Sequence, residues 1–244
     1  MASNVAPHIV AIDCEMIGIG RRSHLARVTI VDFDGRVILD KFVKPPNIPR
    51  NNTVKINYRT HVSGVTKAIL NTYGQEFSDV QEQVMSILEG KTVLGHGLIN
   101  DFKALEIPDW RARYHYFDTT EMPFFMKLHK QEGRPDYLQP RKLKYLATEF
   151  LGKNIQVEGE PHDSAEDART VIELYHAFPD KFVATVHAPP DKFVAPVPLP
   201  APAIPVHATS PANIESALKA LRNLGYHVSS NRKTIRRRRN NSIK

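Results

Sequence analysis

Residues 9–16 constrain the fold of this chain more than any other segment. They read Ile-Val-Ala-Ile-Asp-Cys-Glu-Met, and the apolar, β-branched start predicts a buried strand. Side chains alternate faces along a strand, so Asp13 and Glu15 are expected on the same side. Two carboxylates about 4 Å apart repel by roughly 4 kcal/mol at an effective dielectric of about 20. Their hard oxygen atoms favour Mg²⁺ or Mn²⁺ as a counter-charge; the alternative is a solvated strand end.

The length and the cysteine content limit the architecture. A chain of 244 residues is long enough for one complete α/β core with additional segments. Its single cysteine, Cys14, excludes an intramolecular disulfide and a multi-cysteine zinc site, and it agrees with a reducing compartment. No apolar run approaches the roughly 20 residues of a membrane helix, and the N-terminus lacks a secretory signal pattern. We therefore expect no membrane association.

The net charge of +7 is carried by the C-terminal end of the chain. Residues 1–178 contain 22 Lys and Arg against 23 Asp and Glu, whereas residues 205–244 contain nine basic residues and one acidic residue. Such an asymmetry is typical of nucleic-acid contact or nuclear targeting; the alternative is a solvated terminus. The tail predicts a nuclear or nucleolar location, with the cytoplasm as the alternative, and contacts to phosphates.

The hydrophobic periodicity predicts one α/β domain over residues 1–178. A strand, a hairpin signalled by Asp34-Gly35, and then alternating helices and strands indicate a mixed sheet with helices on both faces. The predicted strands are 9–16, 26–33, 36–43, 92–96 and 114–118, and the predicted helices are 78–89 behind a Ser78 cap, 100–107, 140–151 closed by Gly152, and 164–178.

The composition changes beyond residue 178. Residues 179–211 form a Pro-rich linker in which the sequence Pro-Asp-Lys-Phe-Val-Ala occurs twice, as an imperfect repeat; such segments act as semi-rigid, extended spacers. Residues 212–244 combine a short amphipathic helix at 213–224 with the basic run 232–239. A helix of this length is marginal alone, so we expect it to dock on the core or on a protein partner.

Two further acids stand at predicted helix starts. Asp101 follows a predicted strand, and Asp167 follows His162 by five residues. Each acid has a structural alternative: Asp101 as a helix-initiating acid favoured by the helix dipole, and Asp167 as part of a capping box with Ser164. The capping box assigns no role to His162. Asp118, at the end of the last predicted strand, is a weaker candidate and serves equally well as a strand-end cap.

The order Asp13-x-Glu15, Asp101 and His162-x4-Asp167 resembles that of the DEDDh exonucleases. The resemblance covers residues 5–178 and implies an RNase H-like fold, with a mixed five-stranded sheet flanked by helices. The basic segment follows the domain here, whereas relatives often place it before. The segments most similar to the RNA exonuclease 4 group, which includes the interferon-stimulated exonuclease, are Asp13-Cys14-Glu15-Met16, Tyr58-Arg59-Thr60-x-Val62-Ser63-Gly64-Val65-Thr66, Gly95-His96 and the helix that follows His162.

The resemblance implies a metal-dependent 3′→5′ exoribonuclease that releases nucleoside 5′-monophosphates from single-stranded RNA. The four acids would hold two divalent ions, Mg²⁺ or Mn²⁺, and His162 would act as the general base. Ribosomal RNA processing or RNA turnover are the expected processes. The residues expected at the 3′ nucleotide are Met16, Arg59, His96 and Leu98.

Two alternatives to an exoribonuclease stay open from the sequence. One is an exonuclease of the same fold that acts on DNA. The other is a catalytically idle RNA-binding scaffold, in which the basic tail does the binding. Stabilisation by metal ions separates both enzymes from the scaffold, and a comparison of RNA with DNA strands separates the two enzymes.

Overall fold

Strand β1 (Ile9–Ile19) lies in the middle of the sheet of the computed structural model and carries Asp13 and Glu15. The structure describes residues 8–45, 55–130 and 135–182, together with the backbone of two short strands at 226–228 and 235–237. The other strands of the central sheet are β2 (Arg22–Asp32), β3 (Val37–Lys44), β4 (Ile56–Asn57), β5 (Gln75–Glu76), β6 (Thr92–Gly95) and β7 (His115–Asp118).

Helices connect and cover these strands. The α-helices of the described residues are α1 (Thr60–Ser63), α2 (Lys67–Tyr73), α3 (Phe77–Leu88), α4 (Leu98–Ala104), α5 (Trp110–Arg113), α6 (Leu143–Leu146) and α7 (Ser164–Ala177). A separate hairpin of β8 (Lys127–His129) and β9 (Tyr137–Gln139) lies between α5 and α6 in the chain.

The sheet is mixed, as the sequence predicts. Its order is β5-β3-β2-β1-β6-β7, and β4 pairs with the end of β1. The neighbours β1, β2 and β3 run antiparallel, whereas β6 and β7 continue the sheet from β1 in parallel. Five long strands form the predicted five-stranded sheet, and the two-residue strands β4 and β5 bring the total to seven among the described residues.

Alternation along β1 sends its side chains into two separate cores. Val10 and Ile12 pack in one core with residues of α3 and α4, whereas Ile9 and Ala11 pack in the other with residues of α7. Alternation is regular up to Glu15, since the register of β1 with β2 shifts only after that residue. Asp13 and Glu15 therefore continue the face of β1 that α7 covers.

Helix α3 begins one residue earlier than predicted, and the predicted Ser78 cap is wrong. The residue at the N-cap is Glu76, and the Ser78 hydroxyl lies 3.1 Å from Asp79 Oδ1. With Phe77 as the first helical residue, Ser78 lies inside the first turn. Its side chain therefore cannot take the N-cap position, which precedes the helix.

The predicted helix at 140–151 is shorter and of two kinds. Strand β9 keeps the chain extended up to Gln139, so α6 starts only at Leu143. A π-helical turn (Ala147–Leu151) then completes the segment, and Gly152 closes it with a φ of 66°. The predicted Gly152 stop is confirmed, because this left-handed conformation is easiest for glycine. The periodicity of apolar residues does not distinguish a π-turn from an α-turn.

Packing against the core continues past Phe178. A 3₁₀ turn (Pro179–Lys181) leads to Phe182, which is 5% exposed. Its ring centroid lies 5.7 Å from that of Phe125 and 5.8 Å from that of Phe117. The first copy of the repeated sequence therefore starts inside the folded body, and the domain limits at 178 and 211 remain predictions.

The C-terminal segments are described only in part. Two short strands, β10 (Tyr226–Val228) and β11 (Ile235–Arg237), pair antiparallel within the predicted tail. The predicted amphipathic helix at 213–224 lies outside the described residues, as do residues 46–54. Among the helices of the described residues, none has the length and apolar character needed to span a membrane.

Replacing Gly95 with alanine is expected to destabilise the fold. A methyl group there would overlap with Cδ2 of Leu98 and lie 2.7 Å from its Cγ, and Leu98 is fully buried. We expect Gly95→Ala to lower the free energy of unfolding by about 2 kcal/mol, a typical cost of overpacking. Chemical denaturation measures this loss. Gly18→Ala is the control, since its methyl would meet nothing nearer than 3.4 Å; equal losses in both variants would contradict the argument.

Candidate active site

Strand β1 places two carboxylates beside its neighbour β2. Asp13 is opposite Thr29 and Glu15 is opposite Arg27 in the antiparallel pairing. Asp13 is partly buried, and Glu15 is 7% exposed. The solvated strand end, which was the alternative for this pair, therefore does not describe Glu15.

Helix α4 supplies Asp101 from its first turn. The side chain is 3% exposed, and its Oδ1 accepts a hydrogen bond of 3.0 Å from the backbone N–H of Cys14. Helix α4 begins at Leu98, two residues before the predicted start at residue 100, and its N-cap residue Gly97 has a φ of 81°. Asp101 thus lies in the first turn, where the helix dipole favours an acid, and its side chain also bonds to β1.

Asp118 performs the capping that Asp101 does not. Its Oδ1 accepts from the N–H of Gly97 at 2.8 Å, and its Oδ2 accepts from the N–H of Leu98 at 2.7 Å. Oδ1 also accepts from the backbone N–H and the hydroxyl of Thr120, at 2.9 and 2.7 Å. Because these bonds use both oxygens, the prediction of Asp118 as a strand-end cap agrees with the structure.

Helix α7 supplies Asp167 from its first turn. The capping box, which was the structural alternative for Asp167, does not form, because Asp163 is the N-cap residue and its side chain accepts from the N–H of Ala165. The Ser164 hydroxyl instead lies 2.7 Å from that of Thr29 on β2. Asp167 is 4% exposed and free of a capping role.

The two oxygens of Asp167 have different surroundings. Oδ2 accepts a hydrogen bond of 2.7 Å from Nε2 of Gln156. Oδ1 is buried and has no hydrogen-bond partner among the described residues. A buried carboxylate oxygen without a partner carries a free-energy cost, unless a cation or another donor occupies the position beside it.

Burial and neighbouring carboxylates raise the pKa values of both acids on β1. Burial is the largest cause that raises the pKa of Asp13 well above its usual range, and the carboxylates of Asp101, Asp167 and Glu15 raise it further. Burial, and then the charge of Asp167, raises the pKa of Glu15 to about 8. The four acids therefore lie close enough to repel.

The acids of the helices are perturbed in the same direction. Burial raises the pKa of Asp101 well above its usual range, although the hydrogen bonds from Cys14 act against it. Burial raises the pKa of Asp167 to about 6, and the hydrogen bond from Gln156 acts against it. All four carboxylates therefore resist ionisation in the absence of a counter-charge.

Arg27 compensates the acidic cluster only in part. Its guanidinium lowers the pKa of Asp13 and of Glu15. The same group binds Asp40 through two hydrogen bonds of 2.8 Å and Asp163 through one of 3.0 Å. Because its donors point at these other acids, Arg27 leaves a net negative charge in the cluster.

The chemistry of the cluster fits a divalent cation. Carboxylate oxygens are the ligands that Mg²⁺ and Mn²⁺ prefer, and the buried Oδ1 of Asp167 is available to one. Among the described residues, no three Asp, Glu, His or Cys side chains already surround one point that could hold a metal ion. The types of donor atom therefore fit a divalent cation.

The metal-free protein is expected to lose stability as the pH rises. The pKa of Glu15 is about 8 and that of Asp167 about 6, above the ordinary values of 4.5 and 3.8. The folded state thus holds protons that the unfolded state releases, so the free energy of unfolding falls as the pH rises from about 4 to about 8. With about 1.4 kcal/mol per pKa unit, we expect a total loss of a few kcal/mol.

Urea denaturation in EDTA across this pH range measures the loss. The same series with saturating Mn²⁺ is the control, and there the decline is expected to be smaller, because a cation replaces the protons. A free energy of unfolding that rises with pH in EDTA would contradict the argument.

His162 lies in the loop before α7, away from direct bonds to the acids. Its backbone N–H donates to the carbonyl of Val62 at 2.6 Å. Burial, and then the charge of Lys144, lowers the pKa of its ring from the usual 6.5. Among the described residues, His162 thus bonds to Val62 and feels the charge of Lys144, and no hydrogen bond joins it to the four acids.

The residues expected at the 3′ nucleotide have mixed surroundings. Met16 is partly buried against one core, and Arg59 has a φ of 50° and donates from Nη2 to the Ser23 hydroxyl at 3.0 Å. The His96 Nδ1 lies 2.7 Å from the Thr119 hydroxyl. Leu98 is fully buried, so in this structure it belongs to the core and presents no surface to a ligand.

Three residues near the acids were missed by sequence reasoning. Arg27 faces Glu15 across the hairpin, Gln156 bonds to Asp167, and Lys144 acts on His162. A signal existed for Arg27 alone, because the register of the β1–β2 hairpin, which turns at Gly20-Arg21, places it opposite Glu15. The other two residues lie in a loop and a short helix that approach the site only in the folded chain.

A mixed sheet of this order with four acidic side chains on β1, α4 and α7 has the architecture of a nuclease with an RNase H-like fold. The model of the exonuclease family RNase_T matches residues 10–175, and the chain belongs to this family. The predicted family and fold are therefore confirmed. Exonucleases of this family generally use divalent metal ions.

Relatives in sequence carry names of nucleases. The chain is 40% identical over 169 residues to the apoptosis-enhancing nuclease of Homo sapiens, across 68% of this chain and 48% of that protein. It is 37% identical over 175 residues to interferon-stimulated 20 kDa exonuclease-like 2 of Mus musculus, across 70% and 44%. It is 36% identical over 177 residues to RNA exonuclease 4 of Aspergillus fumigatus, across 71% and 51%. The chain thus spans about half the length of the curated relatives it matches.

A solved structure shows the same fold. The pseudoubiquitin hydrolase-RNA exonuclease module of Pan2 from Saccharomyces cerevisiae, in complex with AAUUAA RNA, superposes with a TM-score of 0.55. The two chains are 26% identical, and the superposition covers 76% of this chain and 31% of the Pan2 chain.

Proposed function

We propose that this chain is a metal-dependent 3′→5′ exoribonuclease that releases nucleoside 5′-monophosphates from single-stranded RNA. The observation that carries the proposal is the cluster of Asp13, Glu15, Asp101 and Asp167, whose pKa values are raised by burial and, at Asp13 and Glu15, also by other carboxylates of the cluster. A fold keeps such mutually repelling groups at a cost in stability, which a bound cation offsets.

The four acids would hold two divalent ions. When bound, such ions lower the pKa of a water and neutralise the charge that develops on the phosphate and on the departing 3′ oxygen. The buried Oδ1 of Asp167 supports this role, since it has no protein partner among the described residues. The hydrogen bond from the Cys14 N–H fixes Asp101 against β1, which orients its carboxylate.

His162 would take the proton from the attacking water. Burial and Lys144 lower the pKa of its ring below 6.5, so the neutral imidazole, which can accept a proton, prevails at pH 7. His162 lies only five residues before Asp167, in the loop that leads into α7.

The 3′ nucleotide would lie between Met16, Arg59 and His96. Two of these side chains are already held by hydrogen bonds, Arg59 by Ser23 and His96 by Thr119. Leu98 would support this pocket from the core. RNA is preferred to DNA in the proposal because the names of relatives include RNA exonuclease 4 and a Pan2 module in complex with RNA.

The basic tail would add affinity for RNA and would direct the protein to the nucleus. Nine basic residues against one acidic residue in residues 205–244 favour contacts to phosphates that weaken as salt rises. We assign the protein to the nucleus or nucleolus on this basis, with ribosomal RNA processing or RNA turnover as the process.

Cleavage of a 5′-labelled single-stranded RNA in Mg²⁺ or Mn²⁺ tests the proposal. A matched DNA strand and the variant Asp167→Ala are run beside it. We expect a ladder that shortens from the 3′ end, is faster on RNA, and is absent in the variant and in EDTA.

Other outcomes favour the alternatives. Equal rates on both strands would remove the preference for RNA, and faster cleavage of DNA would indicate a DNA exonuclease. No cleavage of either strand with both metals would favour the RNA-binding scaffold, with the basic tail as its binding element.

A further inference from the structure

Gln156 occupies an unusual place in the loop before α7. Its backbone φ is 51°, in the left-handed region that residues with a side chain rarely adopt. Such a conformation persists where the surrounding structure holds it, and it is concentrated at functional sites. The backbone conformation of Gln156 therefore indicates a functional constraint at this residue.

The loop around Gln156 is attached to the core on its N-terminal side. Ile155 is 1% exposed and packs with residues of α7. Nζ of Lys153 binds both carboxylate oxygens of Glu173 on α7, at 2.8 and 2.9 Å. The same helix carries Asp167, so the loop and the acid are held in one unit.

The side chain of Gln156 selects one oxygen of Asp167. Nε2 lies 2.7 Å from Oδ2, whereas Oδ1 has no hydrogen-bond partner among the described residues. An ionised carboxylate only accepts hydrogen bonds, so the NH₂ group of the amide must face it. The amide thus orients the carboxylate and leaves one buried oxygen free.

We propose that Gln156 is a positioning residue that holds Asp167 through Oδ2 and thereby presents Oδ1 to a divalent cation. This inference deepens the proposed function of the site and rests on it. Ligands of a metal are commonly oriented by a second hydrogen-bonding group, and loss of that group typically weakens metal binding by about 10- to 100-fold.

The test compares Gln156→Met with the wild type in metal binding without nucleic acid. Methionine has a side chain of similar length and places a residue with a Cβ at the same φ, but its side chain has no N–H donor. Calorimetric titration of the metal-free protein with Mn²⁺ is expected to show a dissociation constant raised by about tenfold or more. Gln156→Asn, whose amide falls one methylene short of Asp167, is expected to show the same loss and serves if the first variant does not fold.

Gln83→Met is the matched control. The Gln83 amide also makes a hydrogen bond, to the backbone carbonyl of Asp79 at 3.0 Å, but it lies on α3, which packs against β3 and β5. Its Mn²⁺ affinity is expected to equal that of the wild type. Denaturation of all variants in EDTA measures any purely structural loss separately.

A second readout separates positioning from a role in the chemistry. At saturating Mn²⁺ the kcat of Gln156→Met on RNA is expected to return to within about threefold of the wild type, because excess metal compensates weaker binding. A Mn²⁺ titration of Gln156→Met that superimposes on that of the wild type would overturn the inference, as would a wild type that binds no Mn²⁺. A wild type that binds Mn²⁺ without cleaving RNA would overturn the proposed function, while weaker binding in Gln156→Met would still support the role of Gln156.

Discussion

Asp13→Asn is expected to abolish cleavage of RNA and, at the same time, to stabilise the metal-free protein. Asp13 is the acid on which Asp101, Asp167 and Glu15 all act, after burial, to raise the pKa. Its carboxylate would also be a direct ligand of the metal ions that bind the phosphate. Loss of such a ligand removes several kcal/mol of transition-state stabilisation, and about 4 kcal/mol corresponds to about 10³-fold in rate.

The gain in stability follows from the same charge. Asparagine has almost the shape of aspartate but no negative charge, so it relieves repulsion among the buried carboxylates. We expect the free energy of unfolding in EDTA at pH 8 to rise by about 2 kcal/mol. Urea denaturation measures this gain, and addition of Mn²⁺ should stabilise the wild type far more than the variant.

Asp109→Asn provides the control for this pair of measurements. Asp109 is exposed and stands at the N-cap of α5 without a side-chain capping bond. We expect its stability to change by less than about 0.5 kcal/mol, as is usual for surface positions, and its cleavage rate to stay the same. A metal-free Asp13→Asn that is less stable than the wild type would contradict the account of the cluster.

His162→Ala is expected to lower kcat by about 10²- to 10⁴-fold, the range usual for loss of a general base. Binding of Mn²⁺ should change little, since the acids and not His162 are the proposed ligands. Single-turnover cleavage of labelled RNA at saturating metal measures the loss. His61→Ala, at an exposed position on α1, is the control, and unchanged turnover in His162→Ala would remove the general-base assignment.

The pH profile gives a second measure of the same role. Burial and the charge of Lys144 lower the pKa of His162, so the wild type should stay active until the pH falls below the ordinary value of 6.5. Lys144→Met removes the neighbouring positive charge, which makes the protonated ring less unfavourable and raises its pKa. The acid limb of kcat is therefore expected to move to higher pH, and a shift to lower pH would contradict this account.

Much of the sheet could be predicted because its signals are local. The alternation of residues 9–15 already places Asp13 and Glu15 on one face, and β1 shows that alternation up to the shift of register. The Asp34-Gly35 turn likewise joins β2 and β3 as predicted, with Gly35 at a φ of 76°. Such rules depend only on backbone geometry within a few residues.

The roles of the two helix acids were open until the tertiary structure was known. In the sequence, Asp101 matched an acid favoured by the helix dipole and Asp167 matched a capping box, but the caps are supplied by Asp118 and Asp163. Asp118 is 20 residues away from the N–H of Leu98 that it binds. The tertiary fold determines which side chain lies at the helix start and caps it.

The residues that act on the catalytic candidates could be identified only from the tertiary structure. Gln156 reaches Asp167 from an irregular loop, and Lys144 acts on His162 from the short helix α6. Local patterns identified the acids, since strand alternation and recurring motifs depend on neighbours in the chain. Burial, mutual repulsion and the unpartnered oxygen of Asp167 depend on distances between β1, α4 and α7, which arise only when the two cores pack on the sheet.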